Sequence, residues 1–538
     1  MTLNRCLALV LVAVTLAGCT KGSPEQQAPG KGGPPAYGDT LVTGSIGEPS
    51  TLIPILASDS ASSDVAGLVY NGLVRYDKNL NLEGDLAKSW EVSLDGLGIT
   101  FHLRHGVKWH DGQEFTSRDV LYTYRVTVDP KTPTAYSEDF KQVQSAQAVD
   151  PYTFRVRYAK PFAPALASWG VPILPAHLLE GKDITKSPLA RSPIGTGPFI
   201  FKEWIPGQRL TLVANADYYE GAPYLARYIY RIIPDSSTMY MELKAGGIDL
   251  MGLSPVQYQR QTNTHEFLAR FNKYRYPAAA YTYLGYNLRL PLFQDRRVRQ
   301  AITCAINKEE IVQGVLLGMG KIAHGPYKPG TWAYKEQVPD PGYDPARARV
   351  LLQQAGFLMG GDGILAKDGK PLSFTIMTNQ GNDQRSKCAQ IIQKRLKKVG
   401  IEVKIRVLEW SSFLTNFIDK GRFEAVLLGW TISPDPDQYD IWHSSKTEPK
   451  ELNFIQFKNP EVDRLLVEGR GTFDVKKRRA CYYKFQDILA REQPYTFLYV
   501  PDALPVVSSR FRGIEPAPEG IMHNLIKWYV PKAEQTRE

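Results

Sequence analysis

Two carboxylates two residues apart, Asp435 and Asp437, share a short stretch with an indole, Trp430, a hydroxyl, Thr431, and a phenol, Tyr439. Such a pair could act as general acid and base, accept a ligand ammonium, or satisfy backbone donors of its own loop. We read it as ligand-facing or loop-forming polarity, because no GxSxG, HExxH or paired Cys/His motif accompanies it. A second group stands near residue 380. Asn379 to Arg385 joins a strand-like run to a helical one, and a helix N-terminus presents free N–H groups that suit a carboxylate. Arg385 adds a full positive charge there if it points inward. Gly195-Thr-Gly197 falls short of a GxGxxG fingerprint and is followed at once by Pro198, so no phosphate loop is expected.

These residues need a scaffold, and the hydrophobic pattern supplies one. Glu424 to Trp430 is a short apolar run bounded by Gly421 and by a turn, the reading of a buried strand. Pro434 and Pro436 then remove backbone donors and fix φ, so a stiff loop must leave the strand's carboxyl end. Ser373 to Thr378 is a β-branched run, and Asp383 to Val399 is helical with Cys388, Ile391, Ile392 and Leu396 on one face and Gly400 as its stop. Ile401, Val403, Ile405 and Val407 alternate as a second strand. This is a βαβ unit with parallel strands and a right-handed crossover. A further helix runs from Pro345 to Ala355, capped by Asp344. Ligands in open α/β sheets lie beyond the strands' carboxyl ends, so the 430–439 loop is expected to line a wall of a cleft between two lobes. Upstream, an Asp95-Gly96 hairpin and a helix capped by Thr116 with Asp119 in its first turn mark a region richer in strands and turns.

A chain of 538 residues is too long for one core. Its 43% apolar and 22% charged residues are those of a soluble globular protein, and a mean hydropathy of −0.29 argues against a polytopic membrane protein. The net charge of +10 is spread along the chain; its densest clusters, 394–398 and 476–479, fall on helix faces, so no nucleic-acid partner is expected. Arg5 precedes an apolar run from Cys6 to Ala17, too short to span a bilayer, which fits a signal sequence. Thr20 to Tyr37 is rich in Gly, Pro and Gln and reads as a flexible tether with a reach of about 20–25 Å. Cys304, Cys388 and Cys481 are odd in number, distant from one another and set among apolar neighbours, the pattern of buried small hydrophobes rather than disulfides. With eight scattered His, neither a metal site nor a cofactor is expected.

Leu16-Ala17-Gly18-Cys19 resembles the lipobox of bacterial lipoproteins, which implies cleavage before Cys19, its lipidation and a firm membrane anchor. The run LAKSWEVSLDGLGITFHLRHGVKWHDGQEFTSRDVLYTY resembles the signature region of the bacterial solute-binding proteins of dipeptide, oligopeptide and nickel ABC importers. SPIGTGPF at 192–199, NADYY at 215–219, FQDRRVRQAI at 293–302, YDPARARVLL at 343–352 and the Gly429-Trp430-Thr431 loop follow in the family's order. The resemblance covers about 40–530. It implies an α/β, two-lobed periplasmic-binding-protein fold of the class II (cluster C) type, with an inserted subdomain in the first lobe and a two-segment hinge through Tyr281–Asn287 and Tyr495–Val500. The implied division is a signal peptide at 1–18, a lipidated tether at 19–37, a first-lobe core from 38–68, 190–284 and 501–538, an insertion at 69–189, and a second lobe at 285–500.

The resemblance further implies a non-enzymatic, monomeric, extracytoplasmic receptor, periplasmic or at the cell surface and lipid-anchored to a bacterial membrane, partnered by a permease and its ATPase. Its expected ligand is an oligopeptide, with an oligosaccharide, opine or metal chelate as the alternative and a lipoprotein hydrolase behind both. Glu48 matches a position that flanks the ligand in the family, and Trp430 one that borders it. With these, Asn287, Asn379, Arg385, Trp410, Thr431, Asp435, Asp437 and Tyr439 make up the expected binding set. One departure stands out. Dipeptide binders carry an acidic residue directly after Gly-Trp-Thr for the ligand's amino terminus, where this chain has Ile432-Ser433-Pro434. Asp435 is the candidate substitute.

Overall fold

A computed structural model describes residues 33–537. The signal sequence, Cys19 and most of the tether lie outside them. Among the described residues no helix is long and apolar enough to cross a membrane.

The chain builds two lobes, each on a seven-stranded sheet. The first sheet runs, in spatial order, 271–273, 505–508, 250–252, 40–45, 227–232, 209–214 and 199–205. Its centre is a parallel pair, Thr40–Ser45 beside Arg227–Ile232, with Thr40 opposite Arg227 and Ser45 opposite Ile232. A separate antiparallel sheet of four strands, built from 87–103 and 143–158, packs Phe101, Phe154 and Phe140 around Trp169. Its first hairpin turns through Gly96 at φ +71°, a conformation that suits glycine. The helix Ser117–Val128 carries the expected cap, with Thr116 N donating to Asp119 Oδ2 at 2.9 Å. The Gly195-Thr-Gly197 segment has a packing explanation: a Cβ on Gly195 would sit 1.8 Å from the Val69 carbonyl oxygen, so only glycine lets the two backbones meet.

The second sheet runs 276–277, 495–503, 280–286, 425–431, 373–379 and 402–408, with 320–322 added beside 495–503. The βαβ unit is present. Ser373–Asn379 and Glu402–Leu408 are parallel, Ser373 opposite Glu402, and Asp383–Lys397 is the crossover helix. Asn382 caps that helix by accepting Arg385 N at 3.0 Å. Gly400, at φ +84°, ends the connection.

Strand Ala425–Thr431 shows why an unbroken apolar run was needed. Ala425 and Leu427 pack into the core containing Ile302, Cys388, Ile392 and Leu396. Val426 and Leu428 point the other way, into the core of Trp442, Phe485 and Leu489. A strand covered on both faces has no solvent side to give to polar residues. Cys304, Cys388 and Cys481 are all buried free thiols.

Segments 281–286 and 495–500 are adjacent antiparallel strands of this second sheet rather than the crossing itself. The chain passes between lobes just beyond them, at 274–279 and 501–504, where Tyr276 pairs with Ala503. The tail returns to the first lobe: Pro505–Ser508 joins its sheet, and Trp528 and Val530 are buried in its core.

Candidate functional site

Strands 373–379 and 425–431 end at the same edge, and there the antiparallel strand 280–286 begins, with Ala280 opposite Thr431 and Tyr281 opposite Trp430. Facing that edge is the first lobe's strand end at Ser45–Gly47 and the helix Ser60–Val69. Between them lies a cavity of about 720 Å³, within the range of small-ligand sites. Its walls carry Tyr136, Tyr230, Tyr283, Trp410, Trp430 and Phe454 among other side chains.

Five of the ten residues singled out from the sequence line this cavity: Asn379, Arg385, Trp410, Trp430 and Thr431. The Trp430 ring lies parallel to Tyr283, with centroids 6.5 Å apart, and its Nε1 donates to the Tyr495 hydroxyl at 3.3 Å. Trp410 reaches across to the first lobe, where a Cβ on Gly47 would come 3.0 Å from its ring. Arg385 Nη1 donates to Asn379 Oδ1 at 2.8 Å. Gly429 leaves room for this side chain, since a Cβ there would be 2.8 Å from Arg385 Nη2. Arg385 makes no ion pair with any described carboxylate. Burial pushes its guanidinium below the ordinary arginine value, and it remains a cation.

The other five lie elsewhere. Glu48 Oε1 accepts from Trp204 Nε1 at 2.7 Å and from Gly207 N at 3.1 Å, tying the strand 40–45 loop to a neighbouring hairpin. Asn287 sits at the opposite end of its strand, donating to Phe423 O at 2.7 Å. Asp435 pairs with Arg478 at 2.8 Å. Asp437 pairs with Arg470, whose guanidinium also covers the Tyr439 ring at 4.2 Å. The Pro-rich loop therefore turns away from the cavity after Ser433, just past Ile432, whose N–H is held by Ala279 O at 2.8 Å. The arginines that draw it aside come 43 and 33 residues later, on helices Val475–Glu492 and Pro460–Arg470. No local pattern announces such a pairing. The first-lobe wall, including Asp64 and Tyr230, also went unread, because a carboxylate on a short Ser- and Ala-rich helix carries no spacing signal.

The lobes touch beside the cavity. Arg470 of the second lobe pairs with Asp139 of the first, Lys446 Nζ donates to Ala135 O at 2.9 Å, and Ser236 Oγ donates to Asp383 Oδ2 at 3.1 Å. A larger concavity of about 960 Å³ lies within the first lobe, where Arg75 bonds Glu83 and Glu220 at 2.8 Å each. Among the described residues no His, Cys, Asp and Glu cluster could hold a metal.

Two lobes on α/β sheets, joined by paired crossings with an aromatic cavity between them, define a solute receptor of the periplasmic-binding type. The chain belongs to the bacterial extracellular solute-binding proteins, family 5, matching the family's middle region over residues 81–451. These are substrate-binding proteins of ABC transporters and not enzymes. The oligopeptide-binding protein AppA of Bacillus subtilis is 36% identical over 538 residues, covering 97% of this chain and 98% of the relative. The structure of AppA from Bacillus subtilis in complex with a nonapeptide is similar at a TM-score of 0.88 and 35% identity, over 93% of this chain and 100% of the other. NikZ from Campylobacter jejuni in complex with Ni(L-His) has a TM-score of 0.83 at 30% identity, over 91% and 99% of the two chains.

Proposed function

We propose that this protein captures oligopeptides in the interlobe cavity and delivers them to an ABC permease. The observation that carries the reading is Arg385, a cation without a carboxylate partner, set in a cavity walled by aromatic rings. A peptide supplies a carboxylate for the guanidinium and apolar surface for Trp410, Trp430 and Phe454. The edge of the sheet and bridging waters hold its backbone irrespective of side chain. Residues 38–68, 190–284 and 501–538 form one jaw with 69–189 as its extension, and 285–500 form the other. The crossings at 274–279 and 501–504 flex between them. Ligand that binds the closed arrangement better than the open one shifts the population toward closure, and the closed form is the one the permease receives. Cys19 carries the lipid that holds the protein, as a monomer, at the membrane surface.

A thermal-shift screen of purified protein against peptides, oligosaccharides and amino-acid metal chelates tests this. Stabilisation by peptides is expected; stabilisation by another class alone would replace the ligand. The second reading, a metal–amino-acid chelate, is favoured by the likeness to NikZ, and such a chelate also offers a carboxylate to Arg385.

A further inference from the structure

Helix Ser60–Val69 brings two carboxylates to the first-lobe wall, Asp59 at its cap and Asp64 one turn further on. Asp59 is fully used. Its Oδ1 accepts Ser62 N at 2.9 Å, and its Oδ2 accepts the hydroxyls of Ser62 at 2.7 Å and Ser50 at 2.6 Å. Asp64 has no hydrogen bond and no ion pair among the described residues. The helix, SASSDVAGLV, contains no Lys, Arg or His that could reach it at i±3 or i±4.

Among the described residues no cation pairs with Asp64. From the adjoining strand it faces Tyr228 and Tyr230, whose phenols burial keeps neutral at physiological pH, and Asp59 is a like charge. Burial and Asp59 together push the Asp64 carboxyl up to about 6. Across the cavity the other charges are balanced: Glu451 pairs with Lys446 at 3.1 Å, and Asp419 feels Lys450 and Lys420. Arg385, like Asp64, has no ion-pair partner among the described residues, and the two do not pair with each other. One wall therefore presents an unmatched anion and the opposite wall an unmatched cation. A charge that faces the cavity without a partner gains a charge-assisted hydrogen bond when a ligand supplies the opposite charge.

We infer that Asp64 receives a cationic nitrogen of the ligand, so that the cavity selects zwitterions held with their positive end on the first lobe and their carboxylate on Arg385. The inference rests on the capture of solutes in this cavity. It moves the cation-binding role from the 430–439 loop to the opposite jaw, and it means that both lobes grip one molecule by opposite charges. A molecule carrying only one charge bonds a single jaw and favours closure less.

Titration calorimetry on the wild type, Asp64→Asn and Asp64→Ala tests this with one peptide sequence in three forms: free amino terminus, N-acetylated, and N-acetylated with a lysine side chain. Acetylation and Asp64→Asn should each weaken binding about 10- to 100-fold, and should not add to one another. Recovery of affinity by the lysine form identifies a side-chain ammonium as the source, and no recovery identifies the terminal amine. If wild type binds free and acetylated peptides equally, or Asp64→Asn binds like wild type, the inference falls while solute capture stands. If wild type binds no peptide, the oligopeptide reading falls, and the ligand-free melting temperature decides on Asp64. A carboxyl with a raised pKa costs stability above that pKa. Asp64→Asn should thus melt higher than wild type at about pH 7.5 and converge with it as pH falls through about 6 to about 4, the unfolded carboxyl value; equal melting at both pH values would show the charge already matched and overturn the proposal.

Discussion

Arg470, the last residue of a second-lobe helix, pairs across the lobes with Asp139. The same guanidinium holds Asp437 of its own lobe and lies over the ring of Phe162, 5.0 Å away in the first lobe. Burial pushes the carboxyls of Asp139, Asp437 and Asp440 upward, and Arg470 opposes that push. The proposed opening of the lobes would break the contact to Asp139 and keep the bond to Asp437. Asp139→Asn should therefore favour the open arrangement. Small-angle scattering of ligand-free protein should show a larger radius of gyration, with ligand affinity lowered about 3- to 10-fold. An unchanged scattering curve and unchanged affinity would deny the pair a role in closure.

Trp430 stands at the end of the central strand with its ring parallel to Tyr283. Its substitution by Ala should cost about 1–3 kcal/mol of ligand affinity, measured by calorimetry. Full affinity with a lowered melting temperature would assign the ring to packing alone.

Arg385→Gln should weaken carboxylate-bearing ligands by about 1.5–3 kcal/mol and leave their amides nearly unaffected. Gly429→Ala puts a Cβ against Arg385 Nη2 and the Tyr281 carbonyl, each 2.8 Å away. It should reproduce the same ligand preference without removing any charge. Equal losses for acids and amides in both variants would refute a carboxylate seat.

Asp340 lies away from the cavity and ties two elements together, bonding Lys308 at 2.5 Å and His324 at 2.9 Å. Burial disfavours its charge, but His324 and Lys308 outweigh burial and hold the carboxyl well below the usual range. Its stabilising effect is therefore present above the unfolded carboxyl pKa of about 4 and is lost as pH falls toward the folded value. Asp340→Asn should lower the melting temperature at neutral pH, with the gap to wild type narrowing steadily below about pH 4. A gap independent of pH would attribute the loss to shape rather than charge.

Cys19→Ala should move the protein from the membrane fraction to the soluble fraction of cells, as followed by immunoblotting. Retention on membranes would remove the lipid anchor from the account.

Much of the scaffold was legible in the linear chain because its causes are local. Capping by Asp344 and Thr116, the stop at Gly400 and the apolar alternation of 401–407 depend on neighbours within a few residues. Asn379 and Arg385 were legible for the same reason: a strand end and a helix start six residues apart must share one edge of a parallel unit. The carboxylates of the Pro-rich loop were not. Their orientation depends on Arg470 and Arg478, on helices that the chain reaches only later.

The order of residues alone thus determined the helices and strands, the edge where the parallel strands end, and the aromatic and cationic groups placed along it. Only the tertiary structure decided which charges remain unmatched. Whether an Asp faces an arginine or an open cavity is a matter of through-space distance over hundreds of residues, and that distance exists only once both lobes have packed and met. Asp435 and Asp437 lost their freedom that way, and Asp64 kept its own.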